Sequence, residues 1–188
     1  MEAQRLLASQ RARGRVIANG LRCVSHQLHP SALEDLGLVQ ALRMLAEEHR
    51  RCGRDICLIE PAEELPLLPS QTKTALYRIA QEALRNAGKH APRAPMRLVL
   101  SASTARSPGE LYLSIEDAGP GFDPRRMRAG GGLGLLSMQE RAHAIGGSLE
   151  LDSSPGEGTR IEVLVPLPSE VEHAPAGSEL GRAPPRRD

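Results

Sequence analysis

Aromatic side chains are nearly missing from this sequence: one Phe, two Tyr and no Trp, 2% of its 188 residues. A core without rings must be built from aliphatic side chains, here Leu and Ala. An excess of charge is missing too. With 24 Lys and Arg against 23 Asp and Glu the net charge is +1, which offers no field to draw in nucleic acid or an anionic membrane surface. Cys23, Cys52 and Cys57 form no C-x-x-C pair, and an odd, scattered set fits a reducing compartment better than a disulfide framework. No His or Cys stands at ligand spacing from Cys52 or Cys57, which argues against a zinc site. No run approaches the roughly 18 apolar residues of a membrane helix, and no signal-peptide pattern opens the chain. The expectation is a cytoplasmic polypeptide with no membrane segment.

Glycine, by contrast, is plentiful, and it gathers in residues 117–138, DAGPGFDPRRMRAGGGLGLLSM. This stretch opens where an apolar strand pattern over 111–115 ends in an acid. It then passes Gly119, Gly121 and a glycine-rich run over 130–134, with Arg125, Arg126 and Arg128 between them. Glycine permits positive φ and lets a ligand approach the backbone. A helix that starts just after such a run offers free N–H groups and a positive dipole end to phosphate. A carboxylate at a strand end, over a flat pocket, can accept a hydrogen bond from an exocyclic base amine. Adenine at Asp117 with phosphates at the glycines is one coherent reading; an ordinary Gly-rich loop is the other.

A second stretch shifts the balance. In 81–91, QEALRNAGKHA, late in an amphipathic helical pattern, Glu82, Asn86 and Lys89 are spaced by four and three and share a face. A carboxylate, a carboxamide and an ammonium together suit a magnesium triphosphate. The Asn oxygen is a hard ligand for Mg²⁺, and Lys neutralises phosphate charge.

With these residues in view, the chain resembles the ATP-binding domain of sensor histidine kinases, in the GHKL superfamily with gyrase, heat-shock chaperone and mismatch-repair ATPases. EALRNAGKHA over 82–91 is similar to the asparagine box, and DAGPG over 117–121 to the D-x-G-x-G box. Gly132, Leu133, Gly134 and Leu135 resemble the second glycine box, and Gly156, Gly158 and Thr159 the final G-x-G-T. The lysine–histidine–alanine ending of the first box and GLGLLSMQER over 132–141 are similar to the nitrate-sensor-type subfamily, which feeds LuxR-type response regulators. The resemblance covers roughly residues 20–167.

Read in order, residues 3–29 carry an apolar stripe near a 3.6 period, weakened at Gly14 and Gly20 and closed by Pro30. Ser31 and Glu34 form a capping box for a second segment that runs to Gly53. A short strand over 55–60, a loop over 61–69 and a helix capped by Ser70 and running to about 91 come next. Strands over 96–103 and 111–116 make an antiparallel hairpin, and a helix over 135–145 precedes strands over 148–152 and 159–167. The order, a helical arm and then βαββαββ, gives a two-layer α/β sandwich, the GHKL or Bergerat fold by resemblance. The expected division is 1–53 as arm and partial dimerisation region, 54–168 as ATP-binding domain and 169–188 as a disordered tail.

The resemblance implies ATP and Mg²⁺ as cofactors and transfer of the γ-phosphate to a histidine, for relay to a response regulator. Asp117 would read adenine, Gly119 and Gly121 would clear space for the base, and Asn86 would hold Mg²⁺. Gly132, Leu133, Gly134 and Leu135 would face the phosphates. Glu82 is either surface charge or the group that orients or deprotonates the attacking histidine. Lys89 is either a helix-end cation or a phosphate contact. Thr159 either opens a strand or sits near the adenine pocket. Arg125, Arg126 and Arg128 read as solvated charges, and His49 and His143 as exposed helix positions without a role.

The family's acceptor histidine lies in an acidic motif on the first bundle helix, which this chain does not contain. The chain is thus expected to be a fragment, working as the cytoplasmic part of a membrane sensor, or a stand-alone module. Residues 3–29 would contact a second copy or an acceptor-bearing bundle. Neither His26 nor His29 fits the acceptor, since the next acids, Glu34 and Asp35, lie beyond Pro30. Two alternatives share the ATP boxes: a non-catalytic ATP-binding regulator and a serine kinase of the anti-sigma type.

Overall fold

The computed structural model describes residues 30–62, 65–103, 109–126 and 133–167. The arm over 3–29 with His26 and His29, the tail over 169–188 with His173, Arg128 and Gly132 lie outside the described residues. So do the side chains of Ser31 and Glu34, on which the expected capping box rests.

The described elements run α1 (Pro30–Arg51), β1 (Ile56–Ile59), α2 (Ser70–His90), β2 (Met96–Ser103), β3 (Glu110–Asp117), α3 (Leu133–Ala144), β4 (Ser148–Ser154) and β5 (Gly158–Pro166), with a 3₁₀ turn over Pro124–Arg126. The strands form one sheet in the order β1-β2-β3-β5-β4. β1 and β2 are parallel and the other pairs antiparallel. A parallel pair needs a crossover connection, and α2 supplies it. Alternation decides which face is covered. Met96, Leu98 and Leu100, then Leu111, Leu113 and Ile115, then Ile161, Val163 and Val165 are buried, two apart on each strand. All three helices gather on that face, giving the expected two-layer α/β sandwich.

α2 carries the core at helical spacing, with Leu76, Ile79, Ala80, Ala83, Leu84 and Ala87 buried. α1 does not stand apart: Leu38, Ala41, Leu42, Leu45 and Ala46 belong to the same apolar cluster as α2 and the sheet. Gly37 interrupts α1 at φ 77, ψ 166, yet Leu33 before the break is buried in the same cluster. No helix among the described residues is long and apolar enough to cross a membrane.

Two local expectations are corrected. Ser70 is not the cap of α2. The N-cap is Pro69, with no side-chain cap bond, and the Lys73 N–H already bonds to the Pro69 carbonyl at 3.1 Å. Ser70 therefore sits inside the first turn, one residue too late to cap it. Cys57 is free and exposed. His49 is buried, 7% exposed, because the chain folds back over it after α1 ends; His143 is exposed as expected.

Burial of His49 has a measurable consequence. Burial first, and then the neighbouring Arg54 charge, push its pKa down to about 4. Unfolded, the ring titrates near about 6.5, so between the two values only the unfolded chain holds the extra proton. Stability is then full above the unfolded pKa and is lost as pH falls toward the folded one, by at most about 3 kcal/mol. Denaturant melts at pH 7.5 and 5 should show the loss, and His49→Gln, which cannot titrate, should remove that part of it. An unchanged pH slope in the variant contradicts the assignment.

Candidate functional site

A cleft of about 530 Å³ opens between α2, the segment after β3 and the start of α3. That volume lies within the range of small-molecule sites, about 300–1,000 Å³.

One wall is built on the last residues of β3. Asp117 pairs in register with Thr159 on β5, so both reach the cleft side by side. The Gly119 N–H donates to Asp117 Oδ1 at 2.9 Å, which fixes the carboxylate and leaves its other oxygen for a ligand. Burial pushes the Asp117 pKa above its ordinary value, with the Gly119 N–H and the nearby His90 pulling the other way. Asp117 is thus an acceptor in a partly dry place, where a hydrogen bond to charge is strong.

Glycine is required where two loops meet beneath it. Gly121 stands at φ 56, and a Cβ there would strike the Ser154 carbonyl oxygen. Gly158, at φ 81, would likewise strike the Asp117 carbonyl. The two loops are latched by buried Ser153. Its hydroxyl accepts from the Phe122 N–H at 3.0 Å and donates to the Gly158 carbonyl at 2.8 Å. The Thr159 hydroxyl, 3.2 Å away, then donates to Ser153. The Gly156 N–H closes the contact on the Pro120 carbonyl at 2.7 Å.

Another wall is the C-terminal half of α2, where Glu82, Asn86 and Lys89 line the cleft together. Arg85 grips the Glu82 carboxylate, with Nη2 at 2.6 Å from Oε1 and Nε at 3.0 Å from Oε2. Asn86 Nδ2 donates to Glu82 Oε1 at 3.3 Å, which leaves the amide oxygen for a ligand. Gly134, in the first turn of α3, lies so close that a Cβ would strike Glu82 Oε1. This presses the positive end of α3 against the acid of α2. Lys89 is exposed at the end of α2.

Of the residues expected from sequence, Glu82, Asn86, Lys89, Asp117, Gly121, Leu133, Gly134, Leu135 and Thr159 line this one cleft. Gly119 backs Asp117 from behind, where a Cβ would also collide with Ala91. Arg125 is exposed and outside the lining, its N–H bonded to Asp123 Oδ1 at 3.0 Å. Sequence reasoning missed the apolar wall of Ile115, Phe122, Met138, Leu151 and Ile161. The signal was there for Ile115, two residues before Asp117 on the inward face, and for Phe122, the one Phe in the chain, beside Gly121. Nothing in the sequence marks Ser153.

The donor set fits Mg²⁺ bound with a triphosphate. Among the described residues no group of three or more His, Cys, Asp or Glu is arranged to hold a metal. The single Asn86 amide oxygen suits a Mg²⁺ that takes its remaining ligands from phosphate and water.

Residues 71–169 match the family described as histidine kinase-, DNA gyrase B- and HSP90-like ATPase. The chain is 34% identical over 148 residues to the sensor histidine kinase MctS of Rhizobium johnstonii, covering 78% of this chain and 31% of that protein. It is 31% identical over 153 residues to the signal transduction histidine-protein kinase/phosphatase DegS of Brevibacillus brevis, covering 80% and 38%. The chain thus spans about a third of the length of these relatives. Among solved structures, the histidine kinase domain of the blue-light activated histidine kinase of Erythrobacter litoralis EL346 superposes with a TM-score of 0.54 and 25% identity, covering 69% of this chain and 65% of that one.

Proposed function

Because the chain belongs to the histidine kinase-, DNA gyrase B- and HSP90-like ATPase family, we propose that its cleft takes Mg-ATP and that it is the catalytic part of a sensor histidine kinase. The γ-phosphate passes to a histidine for relay to a response regulator, and the subfamily features of the sequence favour a LuxR-type partner. One observation carries the reading. A carboxylate suited to an exocyclic amine and an acid–amide–ammonium row suited to a triphosphate line one partly apolar cleft together.

In this reading Asp117 takes the adenine amine, while Ile115, Phe122, Met138, Leu151 and Ile161 exclude water around the base. Thr159 lies beside the base. Lys89, the backbone at Gly132 and Gly134, and the first turn of α3 take the phosphates. Asn86 holds Mg²⁺, whose part is to neutralise charge on the transferring group. Glu82 orients or deprotonates the attacking imidazole, its carboxylate held in place by Arg85. Transfer of this kind depends mostly on position and charge neutralisation.

Residues 54–168 do this work in the proposal, and residues 3–29 of the arm over 1–53 contact a second copy or an acceptor-bearing bundle. The phospho-acceptor is therefore neither His26 nor His29. Given labelled Mg-ATP, the isolated chain should form no acid-labile, base-stable phosphoprotein, yet it should phosphorylate a supplied bundle that carries the family's acidic acceptor motif. Label on His26 or His29, abolished by His→Gln, would make the chain a complete autokinase and overturn the division.

A further inference from the structure

One side chain joins α1 to the phosphate-side end of α2. Gly53, at φ 78, turns the chain out of α1, and the Arg54 N–H bonds back to the His49 carbonyl at 3.2 Å. This six-to-one closure is a Schellman cap. It returns the Arg54 side chain beside His49, with Nη1 2.7 Å from Nδ1. Arginine only donates, so Nδ1 accepts and the buried ring is neutral, its proton on Nε2.

Beyond His49 the guanidinium lies against α2 at Gly88. A Cβ added there would meet Nη2 at 2.6 Å and Nη1 at 2.7 Å. Gly88 is buried, and it is absent from the glycines at positive φ. Backbone conformation therefore does not require glycine at 88, and a helix-interior glycine costs about 1 kcal/mol relative to Ala. What the missing side chain provides is room for Arg54. Gly88 stands between Asn86 and Lys89, and a cation near the end of α2 also suits the helix dipole.

We propose that Arg54 is a positioning residue for the nucleotide site, fixing the last turn of α2 against α1 and so setting where Asn86 and Lys89 stand relative to Asp117. The inference rests on the reading of the cleft as a Mg-ATP site with its phosphates on α2. Movement of α1 then reaches the phosphate half of the cleft through the turn over 49–54. The adenine half meets the end of α2 through Ala91 against Gly119 and is latched between β3 and β5 by Ser153, so it follows less.

Displacement of a fluorescent nucleotide from the full chain, by Mg-ATP and by adenosine in parallel, separates the two halves. In Arg54→Ala, affinity for Mg-ATP should fall about tenfold while that for adenosine falls by no more than about twofold, because Asn86 and Lys89 lie on α2 itself while Asp117 is held on β3 by the Gly119 N–H. Gly88→Ala keeps a helix that alanine favours, pushes the guanidinium aside, and should give the same split. His49→Gln, whose carbonyl can still accept from Arg54, should retain most of the affinity that His49→Leu loses. Equal losses of both ligands would mean a general structural role and overturn the proposal. So would unchanged Mg-ATP affinity in both Arg54→Ala and Gly88→Ala. A wild-type chain that binds neither ligand ends the ATP reading itself, and the Arg54 role with it.

Discussion

Asp117→Asn should lower ATP affinity about 10- to 150-fold, the equivalent of one hydrogen bond to a charged acceptor at about 1.5–3 kcal/mol. The size follows from how the carboxylate is held. Oδ1 is already engaged by the Gly119 N–H. In the variant the amide oxygen keeps that bond, which turns the new NH₂ toward the adenine amine. A donor then faces a donor. The fold should tolerate the change, since burial already raises the Asp117 pKa and so disfavours its charge. Titration calorimetry with ATP checks the prediction, and a thermal melt checks that the variant is folded. Wild-type ATP affinity in a folded Asp117→Asn chain would remove Asp117 from adenine recognition.

Asn86→Ala should cost phosphotransfer to a supplied acceptor bundle about 100- to 1,000-fold, the usual loss when one fixed group that stabilises the transferring charge is removed. Alanine is a better helix former than asparagine, so α2 itself should not suffer. The loss should depend on the metal. Mg-ATP binding should weaken strongly while metal-free ADP stays within about threefold, because in the proposed arrangement the amide oxygen serves Mg²⁺ and not the base. Truncation also frees Glu82 Oε1 from its Asn86 contact, leaving Arg85 as its partner. Equal losses for Mg-ATP and metal-free ADP would take Asn86 out of the metal role.

Strand alternation made the sheet legible, because a period of two with one buried face admits little else. The strand expected over 96–103 is β2 to the residue. Helix ends were less legible. Ser70 has the chemistry of a cap, but Pro69 already has the extended backbone that precedes a helix, and Lys73 closes the first turn onto it. Polar motifs in the site could be read from spacing along one chain segment. The apolar wall could not, because Ile115, Leu151 and Ile161 come together only through the β3-β5-β4 order of the sheet. His49 was misread for a related reason. Periodicity within α1 says nothing about a residue beyond the helix, Arg54, that turns back to cover it.

Binding of Mg-ATP and Mg-GTP to the unmodified chain, measured side by side by calorimetry, tests the central claim most directly. Guanine presents a carbonyl where adenine presents an amine, so the Asp117 carboxylate would face another acceptor. The expected result is one Mg-ATP per chain and Mg-GTP weaker by about 100-fold or more, since a buried polar group left facing the wrong partner discriminates strongly. Equal affinities for the two nucleotides, or no heat with either, would contradict an adenine site at Asp117.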